Sequence, residues 1–586
     1  MSNYRIKTPH AAVLIWNYSD RIGVPDGGFN STGVKKPHEV ETFNRPIIIS
    51  TLSCISIQTN KLKSDPVGTF NLVLAPYKNW ISTVTAGSWC AILMSNEKIE
   101  EKDLKKANPK HVKMLGKIES VRCETSVDES GARKTLYYVS GVDWGHIFTS
   151  YLYIDNLIVA PNEPLLQGNP AAIAIRNMII GADGLPKSGA VKDNLNNLLS
   201  IMGQNVGGFT AAGNDIGRLA NAIYEFKIPR ELADYFRFND AKNKEKKTIS
   251  INKILTLRTG SLVAQHKYDD SAEAYGFIDP FSLQGTHTIW QILLENSNPA
   301  LNEMFCEFDW HNNNLQLVLY NRIRPFSYKN FKAKAAGTSQ NLRSYFQLVK
   351  YHDIDPVTVI SINAGTNWRD KFNFIEIKPQ FQEFAVLKVW HKQKSQAYDE
   401  ISFEREGFRP IIFDTKQFPV KKGATISHQH VSDGIDFSQL EKWVLLMREW
   451  YFGTHRMLNG TITIVGSSEY IGVGNNIRFP ADLLNPTPNI NKASRDKNKN
   501  PLILAHVESV SHSFTVQPDG AREYITTINF VRGIVVNESN EIVGSGMLDQ
   551  FTAPKEGLSY EQDRNTRNTV STSDVSDPDP QKVRGV

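Results

Sequence analysis

The sequence predicts an α+β, multidomain chain in which two duplicated β domains are interrupted by helical and mixed α/β insertions. Three observations carry that expectation: a length of 586 residues, two stretches of alternating β text towards the two ends, and helical periodicity confined to the region between them. A chain this long exceeds what one hydrophobic core serves, so three or four domains are expected. Apolar residues make up 40% and charged residues 22%, the balance of ordinary globular domains.

Residues 1–45 are rich in Gly, Pro, Asn and Ser, with a turn cluster at Pro25–Gly28, and read as an extended N-terminal arm. The first β domain covers 46–150. Within it Phe70, Leu72 and Leu74 share one face against Thr69 and Asn71, and the apolar side of Val121–Val127 alternates with Arg122, Glu124 and Ser126. Residues 151–300 read as a largely helical insertion. Pro170–Ile180 has Pro in its first turn behind Asn169 as a candidate cap, and further helical text lies around 216–236 and 286–296. A mixed α/β domain spans 301–435, followed by an amphipathic helix at 436–456. There Ser438 and Glu441 have capping-box spacing, and Leu440, Trp443, Val444, Met447, Trp450 and Tyr451 form one apolar stripe expected to be core. The second β domain covers 457–535, and the polar residues 536–586 read as a flexible C-terminal tail.

The two β domains echo one another. Ile118–Arg133 and Val507–Arg522 match at a constant offset of 389, with seven of sixteen positions identical, among them Glu119/Glu508, Val121/Val510 and Val127/Val516. Both segments end in the same turn, Gly131-Ala132-Arg133 and Gly520-Ala521-Arg522, where glycine is expected to supply positive φ. Other features follow in the same order. A Gly-Thr strand opens each domain (Gly68 and Gly460), and a Gly-led strand follows (Gly87 and Gly474). Each domain then has a basic loop. The first carries Lys102, Lys105, Lys106, Lys110 and Lys113; the second carries Lys492, Arg495, Lys497 and Lys499. A duplicated domain lets a trimer present six quasi-equivalent units, so that a three-fold object can meet a six-fold ring.

Composition also narrows function. The formal charge of +5 is small for this length and makes no general case for nucleic-acid binding. Cys54, Cys90, Cys123 and Cys306 fall in no metal or redox spacing and read as buried free thiols. The N-terminus lacks a signal-peptide pattern and no run of about 18 apolar residues occurs, which predicts a protein folded in a cytoplasm without a membrane anchor. His352, Asp353 and Asp355 cluster in sequence, as do His428 and His430, but neither group completes a metal set. Gly472-Val-Gly474 lacks the remaining glycine and the GKS/T of a phosphate loop, and GxSxG and HExxH are absent. Glu404 and Glu406 flank Arg405, a salt-bridging pattern. No catalytic, metal or cofactor site is therefore expected, and the chain is expected not to be an enzyme.

The segments Gly68-TFNLVLAP with Trp80 and Gly87-SW, Tyr138-VSGVDWG, Trp290-QILLENSNPALNEMF, Leu317-VLYNRIRPF, Asn367-WRDKFNF, Arg405-EGFRP and Leu458-NGTITIVG, together with the repeated hairpin and Arg532-Gly533, span about 45–535. In this order they resemble the central hub proteins of phage tail baseplates, whose tube-like β domains are shared with contractile injection machines. The resemblance implies two duplicated tube-type β-barrel domains with helical and mixed α/β insertions. It also implies a structural homotrimer in the virion tail baseplate, assembled in the host cytoplasm. Its partners would be a tail tube ring, a central spike protein and other baseplate proteins, with DNA passing transiently through the lumen. The basic loops are expected to reach a neighbouring ring. A tail-associated hydrolase or receptor-binding protein, and the hub of a tail-like secretion or injection machine, are the alternatives left open by the residues.

Overall fold

The computed structural model of the chain describes residues 8–17, 46–127, 131–149, 349–379, 396–415, 417–419, 437–467, 469–484 and 501–540, with shorter pieces between 151 and 341. The readings of Pro170–Ile180, of His428 and His430, of the second basic loop and of residues 541–586 lie outside them.

The first unit has seven strands: β1 (His10–Trp16), β2 (Ile47–Ser50), β3 (Cys54–Leu62), β4 (Thr69–Leu74), β5 (Trp89–Ser95), β6 (Val112–Val127) and β7 (Arg133–Asp143). Their order in the sheet is β2-β1-β5-β6-β7-β4-β3. β1 lies inside the stretch expected to be an arm. Its sequence, HAAVLIW, is apolar without alternation, which suits a strand buried on both faces, and it pairs with β2 on one side and β5 on the other. The two ends of this path, β2 and β3, are joined by only three residues, the 3₁₀ turn Thr51–Ser53. The sheet has therefore curled until its edges meet at that turn. Val13, Ile15, Ile49, Ile57, Phe70, Leu72, Ile92 and Val139 accordingly pack in one core. No ladder joins β2 to β3 among the described residues, so no closed barrel is found there.

A hairpin follows, β8 (Asn302–His311) with β9 (Asn314–Ile323). The second unit comprises β10 (Tyr351–Asp353), β11 (Val359–Gly365), β12 (Leu458–Val465), β13 (Asn476–Pro480), β14 (Leu502–Val516) and β15 (Arg522–Val536). The order is β13-β14-β15-β12-β11, with β10 parallel to β13 on its far side. This unit thus reaches back to Tyr351, well before residue 457. Between β11 and β12 it is interrupted by a small sheet of Phe374–Pro379, Gln396–Tyr398 and Pro410–Thr415, against which the helix Phe437–Phe452 packs. Leu440, Trp443, Val444 and Met447 are buried as the stripe predicts, and the Tyr451 ring lies 5.9 Å from Phe372 and 5.3 Å from Phe413. The helix begins at Phe437, so Ser438 falls within its first turn.

The two units are one motif used twice. β5, β6, β7, β4 and β3 correspond in order to β13, β14, β15, β12 and β11. The hairpin ladders share the 389 offset: Val121 pairs with Val139 and Val510 with Ile528, and Val127 pairs with Arg133 as Val516 does with Arg522. Even the bulge is repeated, between Ile118 and Ser120 and between Val507 and Ser509, which places Glu119 and Glu508 at the same irregularity. Gly87 and Gly474 both have positive φ. The Gly87 amide donates to Ile118 O at 2.7 Å and the Gly474 amide to Val507 O at 2.9 Å.

Candidate assembly interface

The units are joined through a strand ladder. β3 of the first unit pairs antiparallel with β14 of the second, from Ser509 opposite Leu62 to Thr515 opposite Ser56, making one thirteen-stranded sheet. Beneath this join buried charged groups meet partners. The Lys61 ammonium pairs with the Asp143 carboxylate and also donates to Pro66 O at 2.8 Å. Lys63 pairs with Glu508 and, at 3.2 Å, with Glu303 on β8. Glu307, also on β8, accepts from the Val473 amide at 2.6 Å, from the Phe308 amide at 2.8 Å and from the Tyr470 hydroxyl. Burial pushes the Glu307 carboxyl up to about 7 despite those donors. Lys61, Glu307, Tyr470 and His512 line a small cavity with Thr59 and Lys113. Stripping charge from water here is costly, so removing one partner of a pair leaves the other uncompensated.

Two edges of this composite sheet carry no ladder among the described residues. β6 pairs with β5 only through residues 112–117, so beyond the bulge the stretch Ser120–Val127 has β7 on one side and no ladder on the other among the described residues. In β14 the matching stretch is the one covered by β3. The difference is visible side chain by side chain: His512 is 4% exposed, whereas Cys123, its counterpart at the 389 offset, is exposed. Among the described residues β11 likewise pairs only with β12, and its counterpart β3 is the strand that covers β14. Ile360 on this free edge is 53% exposed, and Val127 at the far end of β6 is 64% exposed.

The residues singled out from sequence fall in three places. Gly131 and Gly520 adopt φ of +78° and +84° at exposed hairpin tips, beside Ala132 and Ala521, and Arg133 and Arg522 open the returning strands. Lys102, Lys105, Lys106 and Lys110 are exposed on the link between β5 and β6, which contains the short helix Glu101–Lys105; Lys102 pairs with Glu100 and Lys105 with Glu101. Lys113 departs from this group. It lies in the buried part of β6 and donates to the carbonyls of Ser467 at 3.0 Å, Glu469 at 3.1 Å and Lys110 at 3.1 Å, tying the first unit to the second. Burial pulls its pKa down to about 7. Lys492, Arg495, Lys497 and Lys499 lie outside the described residues, on the link between β13 and β14 that corresponds to the first loop.

The remaining candidates are dispersed. His352 faces Glu469 at 3.2 Å, Asp353 holds Arg478 at 2.6 Å, and Asp355 caps the turn at Val357. Among the described residues no group of three or more His, Cys, Asp or Glu is placed to hold a metal ion. Cys54, Cys90 and Cys306 are buried free thiols, but Cys123 is exposed because its edge is uncovered. No helix of the described residues is long and apolar enough to cross a membrane.

No family model matches the chain, and no curated protein matches it. Among solved structures it is loosely similar to the tail protein from Neisseria meningitidis MC58, with a TM-score of 0.39 and 10% identity over 89% of this chain and 96% of that one. The 43 kDa tail protein of prophage MuSo2 from Shewanella oneidensis gives a TM-score of 0.36 and 11% identity over 90% of this chain and 99% of that one. The half-lidded Francisella PdpA–VgrG complex gives 0.34 and 8% identity over 93% of this chain and 60% of that one.

Proposed function

We propose that the chain is a structural hub of a phage tail or tail-like injection machine. Three copies would form a ring of six like β units, adapt a six-fold tail tube to a three-fold spike, and line the channel through which DNA passes. One observation carries this reading: the two units share strand order, ladder register and bulge, so a three-fold ring of chains offers its neighbours a near six-fold repeat. The exposed lysines of the β5–β6 link, with the basic residues of the corresponding β13–β14 link, are assigned to contact with the adjoining ring of tube protein. The modest net charge of +5 fits a lumen that must not hold its genome, because each neutralised phosphate adds affinity. The test is the mass of the full chain in solution. A particle of three times the 66.0 kDa chain mass is expected, and a monomer at high concentration overturns the ring.

A further inference from the structure

The join between β3 and β14 is a contact between two like units, and the stretches of β6 and β11 that carry no ladder among the described residues are the same two surfaces. Their equivalence can be fixed residue by residue. The 3₁₀ turn Thr51–Ser53 before β3 matches the 3₁₀ turn Pro356–Thr358 before β11 at an offset of 305. The two strands then share Ile55-Ser56-Ile57 and Ile360-Ser361-Ile362 at that same offset. Both carry a bulge at the first isoleucine, between Cys54 and Ser56 and between Val359 and Ser361. β11 is therefore the β3 of the second unit.

We infer that β11 of one copy adds to the Ser120–Val127 edge of β6 in a second copy, repeating between chains the ladder that β3 makes with β14 inside the chain. The partner is the same chain, and the inference rests on the ring reading above. The internal ladder sets the register. Thr515 opposite Ser56, Ser513 opposite Gln58 and His512 opposite Thr59 become Ser126 opposite Ser361, Glu124 opposite Asn363 and Cys123 opposite Ala364. Four physical features favour this occupant. Unpaired strand edges carry rows of amide and carbonyl groups that template another strand. The two edges are complementary in kind, because each copy offers one of each. Such a head-to-tail contact closes rings rather than stopping at a dimer when the rotation permits. Finally, Ile360 and Val127, exposed in the single chain, lie at the strand ends that the added ladder would cover.

Directly opposed residues of an antiparallel pair bring their Cβ atoms to about 4.5–5.5 Å, close enough for a disulfide with slight adjustment. The native Cys123 thiol is exposed, and the other three thiols are buried. Ala364→Cys should therefore link copies under mild oxidation, and a non-reducing gel should show covalent dimer and trimer in place of most of the monomer band. Adding Cys123→Ser should abolish the ladder. A second pair, Glu124→Cys with Asn363→Cys in the Cys123→Ser background, guards against disturbance at the half-buried Ala364. A trimer by mass with no cross-link in either pair overturns the strand pairing and leaves the ring standing. A monomer by mass overturns both.

Discussion

The first and second units have the same backbone frame but meet different surroundings. What they keep is backbone-level: the 3₁₀ turn into β3 and into β11, the bulge at Glu119 and Glu508, the positive-φ glycines before β5 and β13, and the Gly-Ala-Arg hairpin tips. What they vary is chosen by neighbours. At positions related by the 389 offset the first unit has Asp143, neutralised by Lys61, and the second has Arg532, buried beside the Tyr451 ring at 5.8 Å with its pKa pulled down by burial to about 9. One frame can thus carry opposite charges at the same site, provided each finds its own partner. The comparison teaches that the repeat is a geometric unit, with its side chains fitted to a covered or an open edge.

The sharpest way to break the comparison is to unbalance the covered junction. Asp143→Ala leaves Lys61 buried without its carboxylate and should lower stability by about 4 kcal/mol. The equivalent truncation on the open edge, Glu124→Ala, should change stability by less than about 0.5 kcal/mol. Urea midpoints of the two variants measure both.

Glu307 gives a pH test of the same junction. Its folded pKa of about 7 lies above the ordinary carboxyl value of 4.5, so the folded chain binds this proton more tightly than the unfolded one. This contribution is fully present below about pH 4.5 and falls as pH rises to about 7, by on the order of 3 kcal/mol. Glu307→Gln should remove that slope, so the stability difference between variant and native chain must change across this window. A difference independent of pH would contradict the burial argument.

Glycine substitutions sharpen the contrast further. Gly87 and Gly474 hold the same left-handed turn, but a Cβ on Gly87 meets open space whereas one on Gly474 would fall 2.3 Å from the Phe305 ring of β8. Gly87→Ala should cost about 1 kcal/mol from backbone strain alone. Gly474→Ala adds overpacking and should cost about 3 kcal/mol. Equal losses in thermal melts would mean that β8 does not press on the second unit.

The smallest stability effect belongs to the basic loops. Reversing Lys102, Lys105, Lys106 and Lys110 to Glu should leave the melting temperature within about 2 °C, since these groups are exposed. Binding to tube protein should nevertheless be lost in a pull-down. Retained docking would remove these residues from the ring contact.

The sequence made the hairpin repeat legible because identical residues sit where the backbone demands them, at the bulge and the turn. It misplaced the Gly-Thr strands. The ladders put Gly460 level with Phe70, opposite Phe530 and Gly141 respectively, so the true offset there is 390 and Gly68 is two residues away. A slip of two keeps every side chain on its face, which is why the pattern alone could not detect it. The Ile-Ser-Ile repeat was present but hidden, because the insertion between β11 and β12 breaks the constant offset. β1 was obscured by the polar text around it, although its unbroken apolar run was the available signal. The buried pairs of Lys61, Lys63 and Lys113 left no local trace, since their partners lie tens to hundreds of residues away.

An image of the purified assembly viewed down its axis tests the six-fold repeat most directly. A closed ring of three chains is expected, its inner wall showing six nearly equal lobes, evenly spaced although alternate lobes belong to different units. A ring with three lobes, or an open chain of copies, would contradict the quasi-equivalence of the two units.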